Sequence, residues 1–501
     1  NKTRTVIVKI KTDKTNPSNK KTQMLCTLIF EKSNEPLGLG KFNSKINALV
    51  KQSLKEIKGK VGDLSIIQTL GEIPAQKILI AGLGPKNKIT LDVLRRVSGI
   101  VAQKARSIRL VEFSIIVPEN FPIDVKSMVS AIVEGTTLSM YSFNKYKKEK
   151  NEKSPNLSIL ISKPNVVQDI ISKSQIISDA VIFTKSIANL PPNDCSPTDL
   201  AGYAKAIARK NKLTCKVFSK KELKEKKFGG IIAVGKGSIN EPKLIVLEHH
   251  KGKRNDKPIV IVGKAVTFDT GGISLKQSEK MDEMKFDKCG GCTVLGIMKA
   301  VSELKLPLNV IGIIPSVENM LGRESYRPGD IVRLYSGKTT EILNTDAEGR
   351  LILADALSFG EKKYSPRVII DFATLTGACI VALGNNVAGL VSNNKKLASD
   401  IKNSSERTSE EVWQLPLNDD YMDMIKSNVA DMKNIGKGRA AGTITAAAFL
   451  ANAIGNTPWV HIDIAGTAWT QDATKNKSYN QRGATGFGVR LLLDYLNTLK
   501  N

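Results

Sequence analysis

Polar and apolar residues alternate with period two over Thr5-Val6-Ile7-Val8-Lys9-Ile10, so the chain is expected to open on a strand with one buried face. Lys77-Ile78-Leu79-Ile80-Ala81, Phe113-Ser114-Ile115-Ile116-Val117 and residues 157–161 are short apolar runs that predict further strands. Between them, residues 90–108 carry apolar positions at helical spacing. Strands alternating with helices indicate an α/β unit, and a lysine-rich turn over residues 145–155 precedes its last strand. Residues 166–190 read as one long helix, which Pro191-Pro192 cannot continue.

A second alternation follows. Residues 214–218, 229–234 and 243–247 are strand-like, and 258–263, 310–315, 367–372 and 459–464 have the continuous apolar character of strands buried on both faces. Residues 291–304, 351–362 and 443–453 predict helices. The expected architecture is α/β in two domains: a smaller N-terminal α/β domain over residues 1–165, a linker helix over 166–192, and a larger C-terminal α/β domain over 193–501 with a mixed sheet flanked by helices. Gly235-Lys236-Gly237-Ser238 lacks the Walker spacing of a phosphate loop and reads as a turn.

Composition narrows the class. A chain of 501 residues exceeds one typical core, and 41% hydrophobic with 25% charged residues is ordinary for a soluble globular protein. No apolar stretch approaches membrane-spanning length, and the N-terminus lacks the apolar run of a secretory signal, so the expectation is a cytoplasmic protein with no membrane partner. The chain begins at Asn1 rather than Met, which leaves room for a removed upstream targeting segment. Six scattered cysteines argue for a reducing compartment, and Cys289-Gly-Gly-Cys292 has no second pair to complete a zinc site, so it reads as tight packing. Lys and Arg number 75 against 48 Asp and Glu, a formal net charge of +27. That balance raises nucleic-acid binding, but the lysines are dispersed and aromatics make up only 5%, so a solvated basic surface explains most of it.

The chemistry concentrates in Asn344-Thr345-Asp346-Ala347-Glu348-Gly349-Arg350-Leu351. On an extended backbone Asp346, Glu348 and Arg350 would project to one side. Two acids aimed into one pocket repel unless a cation sits between them. The competing reading is a helix N-terminus, with Asp346 as the cap and Glu348 complementing the dipole. Lys264 and Asp269 follow a predicted strand, where open α/β sheets place their sites, and Lys276 and Met281-Asp282-Glu283-Met284-Lys285-Phe286-Asp287 come next. The chain has three histidines: His249 and His250 at a strand end, and His461 inside an apolar strand, where it reads as a satisfied core residue. A histidine zinc centre or a Ser-His-Asp triad is therefore poorly supported, and the acids point to hard or borderline divalent ions.

Residues 262–276, Asn344 to Leu351 and Ala373-Thr374-Leu375-Thr376-Gly377 resemble the signatures of the leucine aminopeptidase (cytosol aminopeptidase) family. Glu318-Asn319-Met320, Arg327-Pro328-Gly329-Asp330, residues 440–449, His461-Ile462-Asp463-Ile464-Ala465-Gly466 and Asn189-Leu190-Pro191-Pro192-Asn193 support it, whereas the N-terminal third matches only in general character. The resemblance implies a metal-dependent aminopeptidase that removes leucine and other bulky apolar residues from peptides with a free N-terminus. It also implies a catalytic domain over residues 193–501 and a homohexamer. Two divalent ions per subunit would be bound, Mn or Zn, with Mg and Co as further options. By similarity, Lys264, Asp269, Asp287 and Glu348 hold the tighter ion and Asp269, Asp346 and Glu348 the exchangeable one. Lys276 polarises the scissile carbonyl. Arg350, with Leu375, binds bicarbonate as the general base, and Met284, Thr374 and Gly377 line the pocket for the N-terminal side chain.

Physical chemistry adds a constraint. A lysine ligates metal only when neutral, so Lys264 needs its pKa lowered from about 10.4 by an adjacent cation, while Lys276 must stay protonated. Lys288, Cys289 and Cys292 depart from the family pattern beside Asp287, and the charge of +27 is high for the family. Two rivals remain: a DNA-binding architectural protein, a second role known among members of this family, and a two-metal phosphoesterase, which Lys264 and Lys276 disfavour.

Overall fold

The computed structural model describes residues 8–40, 42–148, 154–438, 440–470 and 477–499. The first half of the strand expected at Thr5 to Ile10 and the middle of the expected turn over 145–155 lie outside the described residues. The chain divides into two compact units, Asn1–Ile182 with Lys475–Gln481, and Phe183–Thr474 with Arg482–Asn501. Among the described residues no helix is long and apolar enough to cross a membrane.

The first unit carries β1 (Ile10–Asp13), β2 (Leu25–Ile29), β3 (Leu64–Gln68), β4 (Lys77–Gly82), β5 (Glu112–Ile116) and β6 (Asn156–Leu160). Their order in the sheet is β1-β6-β5-β2-β4-β3, parallel except where β3 runs antiparallel to β4. All five residues of β2 are buried, so its run lacks the period-two alternation that marks a half-exposed strand. The helices Leu91–Ser107 and Val125–Ser139 cross closely at Gly135, where a Cβ would stand 2.2 Å from the Arg95 carbonyl oxygen. Beside this crossing, Arg95 Nε pairs with Glu134 Oε2 at 2.6 Å.

The second unit is built on a larger mixed sheet. Its strands are β7 (Thr214–Phe218), β8 (Lys243–His250), β9 (Ile259–Gly263), β10 (Ala265–Asp269), β11 (Asn309–Asn319), then, after β12 (Ile331–Arg333) and β13 (Thr339–Glu341), β14 (Val368–Ala373), β15 (Ala388–Ser392), β16 (Val412–Gln414) and, after β17 (Met432–Lys433), β18 (Trp459–Asp463). The order is β16-β15-β18-β14-β9-β11-β8-β7, with β10 pairing the end of β11; β12, β13 and β17 form a separate small sheet. Strands β18, β14, β9, β11 and β10 are mutually parallel, so their carboxyl ends open on one edge. The helix Cys289–Glu303 lies directly on this layer: a Cβ on Gly290 would stand 2.2 Å from the Phe372 carbonyl oxygen, and one on Gly291 2.7 Å from Ala265 Cβ. This contact explains Cys289-Gly-Gly-Cys292 as packing, and all six cysteines are free thiols.

One expected strand is a helix. Residues 229–234 fall within the helix Gly229–Gly235. Its two leading glycines back onto the Arg333 and Leu351 carbonyls, at 1.9 and 2.5 Å from ideal Cβ positions, and the Ile231 amide donates to Asp355 Oδ2 at 3.0 Å. Tertiary contacts, rather than the apolar run, set the backbone there.

Candidate active site

The residues singled out in the sequence emerge from the shared edge of the sheet. Lys264 follows β9 directly, Asp269 ends β10, Thr374 follows β14 and Asp463 ends β18. Asp287 comes from a 3-10 helix, Met281–Lys288, which leads into the helix Cys289–Glu303. Asp346 lies in a turn, and Glu348 sits immediately before the helix Gly349–Tyr364.

The stretch over Asp346 and Glu348 is therefore not extended, as the alternation had suggested. Asp346 is not the helix cap either, because Glu348 occupies that position, in helical conformation and with no side-chain cap bond, so that its carboxylate stands at the helix N-terminus. Thr345 shapes the turn instead. Its Oγ1 donates to the Gly271 carbonyl at 2.6 Å, and it exchanges hydrogen bonds with Ser274 at 2.8 and 3.1 Å. The Asp346 amide donates to Asn344 Oδ1 at 2.8 Å. This folding turns Asp346 and Glu348 toward the β10 terminus. One ligand oxygen from each of Asp269, Asp346 and Glu348 lies within 4.8 Å of the others.

Two lysines interleave with the acids. Lys264 Nζ is 2.8 Å from Asp287 Oδ1 and 2.9 Å from Glu348 Oε1, and donates to the Thr374 carbonyl at 2.8 Å. Lys276 Nζ is 2.9 Å from Asp269 Oδ2 and also pairs with Asp346. Burial works against both ammonium groups, but the carboxylates outweigh it and hold both pKa values above the usual lysine range. Among side chains alone, then, Lys264 is charged, so ligation through its amine requires that proton to leave. Burial also raises Asp287 well above the ordinary carboxylate value, and burial together with Asp269 raises Asp346.

Several supports were not anticipated from the sequence. Asn319, the last residue of β11, donates through Nδ2 to Asp269 Oδ1 at 2.8 Å and to the Thr345 carbonyl at 3.1 Å. The Tyr326 hydroxyl donates to the same carbonyl at 2.7 Å. Thr374 Oγ1 donates to Asp287 Oδ1 at 2.7 Å. An amide side chain closing a long buried strand was the available signal for Asn319.

Arg350 is buried, and its Nη1 donates to the Asn434 carbonyl at 2.7 Å while Nε has no hydrogen-bond partner among the described residues. Burial brings the guanidinium down to about 10, with Glu348 and Asp463 resisting the shift. The Leu375 amide is engaged by Asp463 Oδ1 at 3.1 Å. Met284 shares the short helix of Asp287, and Gly377 opens the helix Gly377–Leu383 with an exposed backbone. Lys288 turns away from the acids: its Nζ donates to the carbonyls of Leu190, at 3.0 Å, and Lys285. His249 and His250 lie apart from this cluster, against the Leu306 carbonyl and Glu248.

The arrangement suits divalent cations. Three carboxylates converge, a fourth, Asp287, keeps a buried Oδ2 with no hydrogen-bond partner among the described residues, and an amine completes a set of hard and borderline donors.

The chain matches the family model described as the cytosol aminopeptidase family, catalytic domain, over residues 182–493, and that family's N-terminal domain over residues 28–150. A probable cytosol aminopeptidase of Cenarchaeum symbiosum is 58% identical over 489 residues, covering 98% of this chain and 99% of the relative. One of Roseiflexus castenholzii is 43% identical over 444 residues, covering 87% and 90%. Among solved structures, the bottromycin maturation enzyme BotP in complex with Mn is similar at a TM-score of 0.85 and 27% identity, covering 96% of this chain and 100% of that one.

Proposed function

The chain belongs to the cytosol aminopeptidase family, and from that premise we propose a two-metal hydrolysis of N-terminal residues, preferably leucine and other bulky apolar ones, carried out by the acid–lysine cluster at the sheet edge. Family membership makes the protein a metal-dependent aminopeptidase, a hydrolase of peptides that uses divalent metal. The observation that carries the finer reading is the convergence of Asp269, Asp346 and Glu348 with Lys264 and Lys276 threaded between them.

In this reading Lys264, Asp269, Asp287, Asp346 and Glu348 would hold two divalent cations, Asp269 and Glu348 contributing to both. Such cations, when bound, polarise the scissile carbonyl and bring a water's pKa toward neutrality. Lys276 keeps its proton and meets the negative charge that develops on the carbonyl oxygen. Arg350, whose Nε has no hydrogen-bond partner among the described residues, would anchor a bicarbonate, which would supply the base for the attacking water and the acid for the departing amine. Because the Leu375 amide is already held by Asp463, the guanidinium carries most of that anchoring. Met284, Thr374 and Gly377 border the pocket for the N-terminal side chain. Manganese is the preferred test ion, since a similar solved enzyme is recorded in complex with Mn. The working assembly is a homohexamer.

Asp346→Ala or Glu348→Ala should abolish hydrolysis of leucine p-nitroanilide in manganese-loaded protein while the thermal unfolding transition persists. Full activity in either variant would sink the two-metal assignment. Turnover of p-nitrophenyl phosphate in place of the anilide would move the site to phosphoester chemistry.

A further inference from the structure

His461 and Asp371 face each other directly across β18 and β14. His461 Nδ1 lies 2.6 Å from Asp371 Oδ1, and both side chains are wholly inaccessible to solvent. The other oxygen of Asp371 accepts from Trp459 Nε1 at 2.8 Å. A carboxylate accepts only, so Nδ1 carries a proton toward Asp371. His461 Nε2 is buried and has no hydrogen-bond partner among the described residues.

Two residues further along the same strand face stands Asp463, also buried. Its Oδ1 accepts from the Leu375 and Ala465 amides, each at 3.1 Å, and its Oδ2 from Thr376 Oγ1 at 2.7 Å. Thr376 Oγ1 in turn lies 2.8 Å from Thr443 Oγ1. Asp463 thus fixes the turn that leaves β14. That turn carries the Thr374 carbonyl that receives Lys264 Nζ, and the Thr374 hydroxyl that donates to Asp287.

We infer that His461, which lies outside the proposed ligand set, is a positioning residue for the reaction: as the cation between buried Asp371 and Asp463, it holds residues 374–376 in the conformation that Lys264 and Asp287 require. An uncompensated carboxylate in the core is costly, and two of them, on neighbouring strands, share this sheet face. Burial disfavours the imidazolium and Arg350 repels it, yet Asp371 and then Asp463 outweigh both and raise its pKa. The same imidazolium is the leading influence opposing the rise that burial imposes on Asp463. The buried histidine is therefore more than a satisfied core residue. Its charge is relayed through Asp463 and the turn to two of the groups proposed to grip metal.

The inference rests on the ligand reading above, so its test separates the two. In the full chain, His461→Gln and the double variant Asp371→Asn/His461→Gln would be compared with wild type by calorimetric titration of chelator-treated protein with Mn²⁺, by kcat and KM on leucine p-nitroanilide, and by thermal unfolding. The expected result for His461→Gln is a Mn²⁺ affinity and kcat each lowered about 10- to 100-fold, the range for partners lying behind metal ligands, with KM little changed. The double variant should not recover, because Asp463 stays uncompensated. Wild-type Mn²⁺ affinity in His461→Gln, or full recovery in the double variant, would overturn the inference; recovery would make His461 a partner of Asp371 alone. Should His461→Gln unfold, Thr376→Val removes one of the two bonds from Asp463 to the turn, leaving the one from the Leu375 amide, without touching the imidazole. It should lower Mn²⁺ affinity in the same direction, and wild-type affinity there would be fatal. A wild-type chain inert toward leucine p-nitroanilide would refute the proposed reaction while leaving the Mn²⁺ comparison readable.

Discussion

Gly349 runs so close to Lys264 that a Cβ on the glycine would stand 2.6 Å from the lysine Cε and 2.8 Å from its Nζ. The helix that follows Glu348 therefore begins with a residue that must have no side chain, since the lysine passes through the space one would fill. Gly349→Ala should displace Lys264 from Glu348 and Asp287. The expected outcome is a folded protein, destabilised by about 1–3 kcal/mol for the forced shift, with Mn²⁺ binding and peptidase activity severely reduced. Metal titration beside thermal unfolding checks it, and unaltered Mn²⁺ affinity would count against the placement of Lys264.

Lys276 invites the opposite split. Its ammonium lies against Asp269 and Asp346, so removing it deletes a positive charge from a crowded acidic site. Lys276→Met should lower kcat by about 100- to 1000-fold, as for loss of a single oxyanion-stabilising donor, while Mn²⁺ affinity holds or rises. Affinity falling in step with kcat would instead make Lys276 a structural member of the metal site.

Asp355 offers a test through pH. It accepts the Tyr335 amide at 2.7 Å and the Ile231 amide at 3.0 Å, yet burial outweighs these bonds and pushes its carboxyl up to about 7. The folded protein then holds this proton more tightly than the unfolded chain, whose aspartates titrate near about 3.9. The stabilisation is complete below that value and is lost as pH rises through about 7. Melting temperatures between about pH 4 and pH 7 should fall with pH in wild type and fall less in Asp355→Asn. Parallel curves would remove Asp355 as the source.

In the first unit, burial should decide which ion pair matters. Arg95 and Glu134 are both nearly inaccessible, whereas Lys45 and Glu72 pair at the surface. Glu134→Ala should destabilise the unit by about 3–5 kcal/mol, because it removes one partner of a buried ion pair. Glu72→Ala should leave the unfolding transition where it was. Chemical denaturation of both variants makes the comparison.

The parts of this molecule legible in the chain are those where local pattern and tertiary demand coincide. Buried strands such as β9, β11 and β14 were visible because both faces are covered and their residues are mostly apolar. Lys264 and Asp269 were visible because they sit just past such runs. The conformation around Asp346 was not: charge alternation suggested an extended segment, but Thr345, Ser274 and Gly271 form a turn through contacts remote in sequence. Residues 229–234 were misread for the same reason, since the glycines there answer to the Arg333 and Leu351 backbones. Asn319 and Asp463 lie in motifs that carried the resemblance, but their roles stayed hidden because a polar residue at a strand end declares itself only when its partner is known. Lys264 shows a further limit: its charge follows from which acids surround it in space, and sequence order cannot state that.

Strand β18 comes last among the strands of the large sheet, yet it lies between β14 and β15 and delivers Asp463 to the turn behind the site. The place it fills must stay open while the ribosome makes almost all of the preceding chain. A nascent or truncated molecule that already contains Lys264, Asp269, Asp287, Asp346 and Glu348 would still lack the clamp on residues 374–376. Competence to cut peptides should thus arrive late and abruptly during biosynthesis, sparing the cell a half-made peptidase.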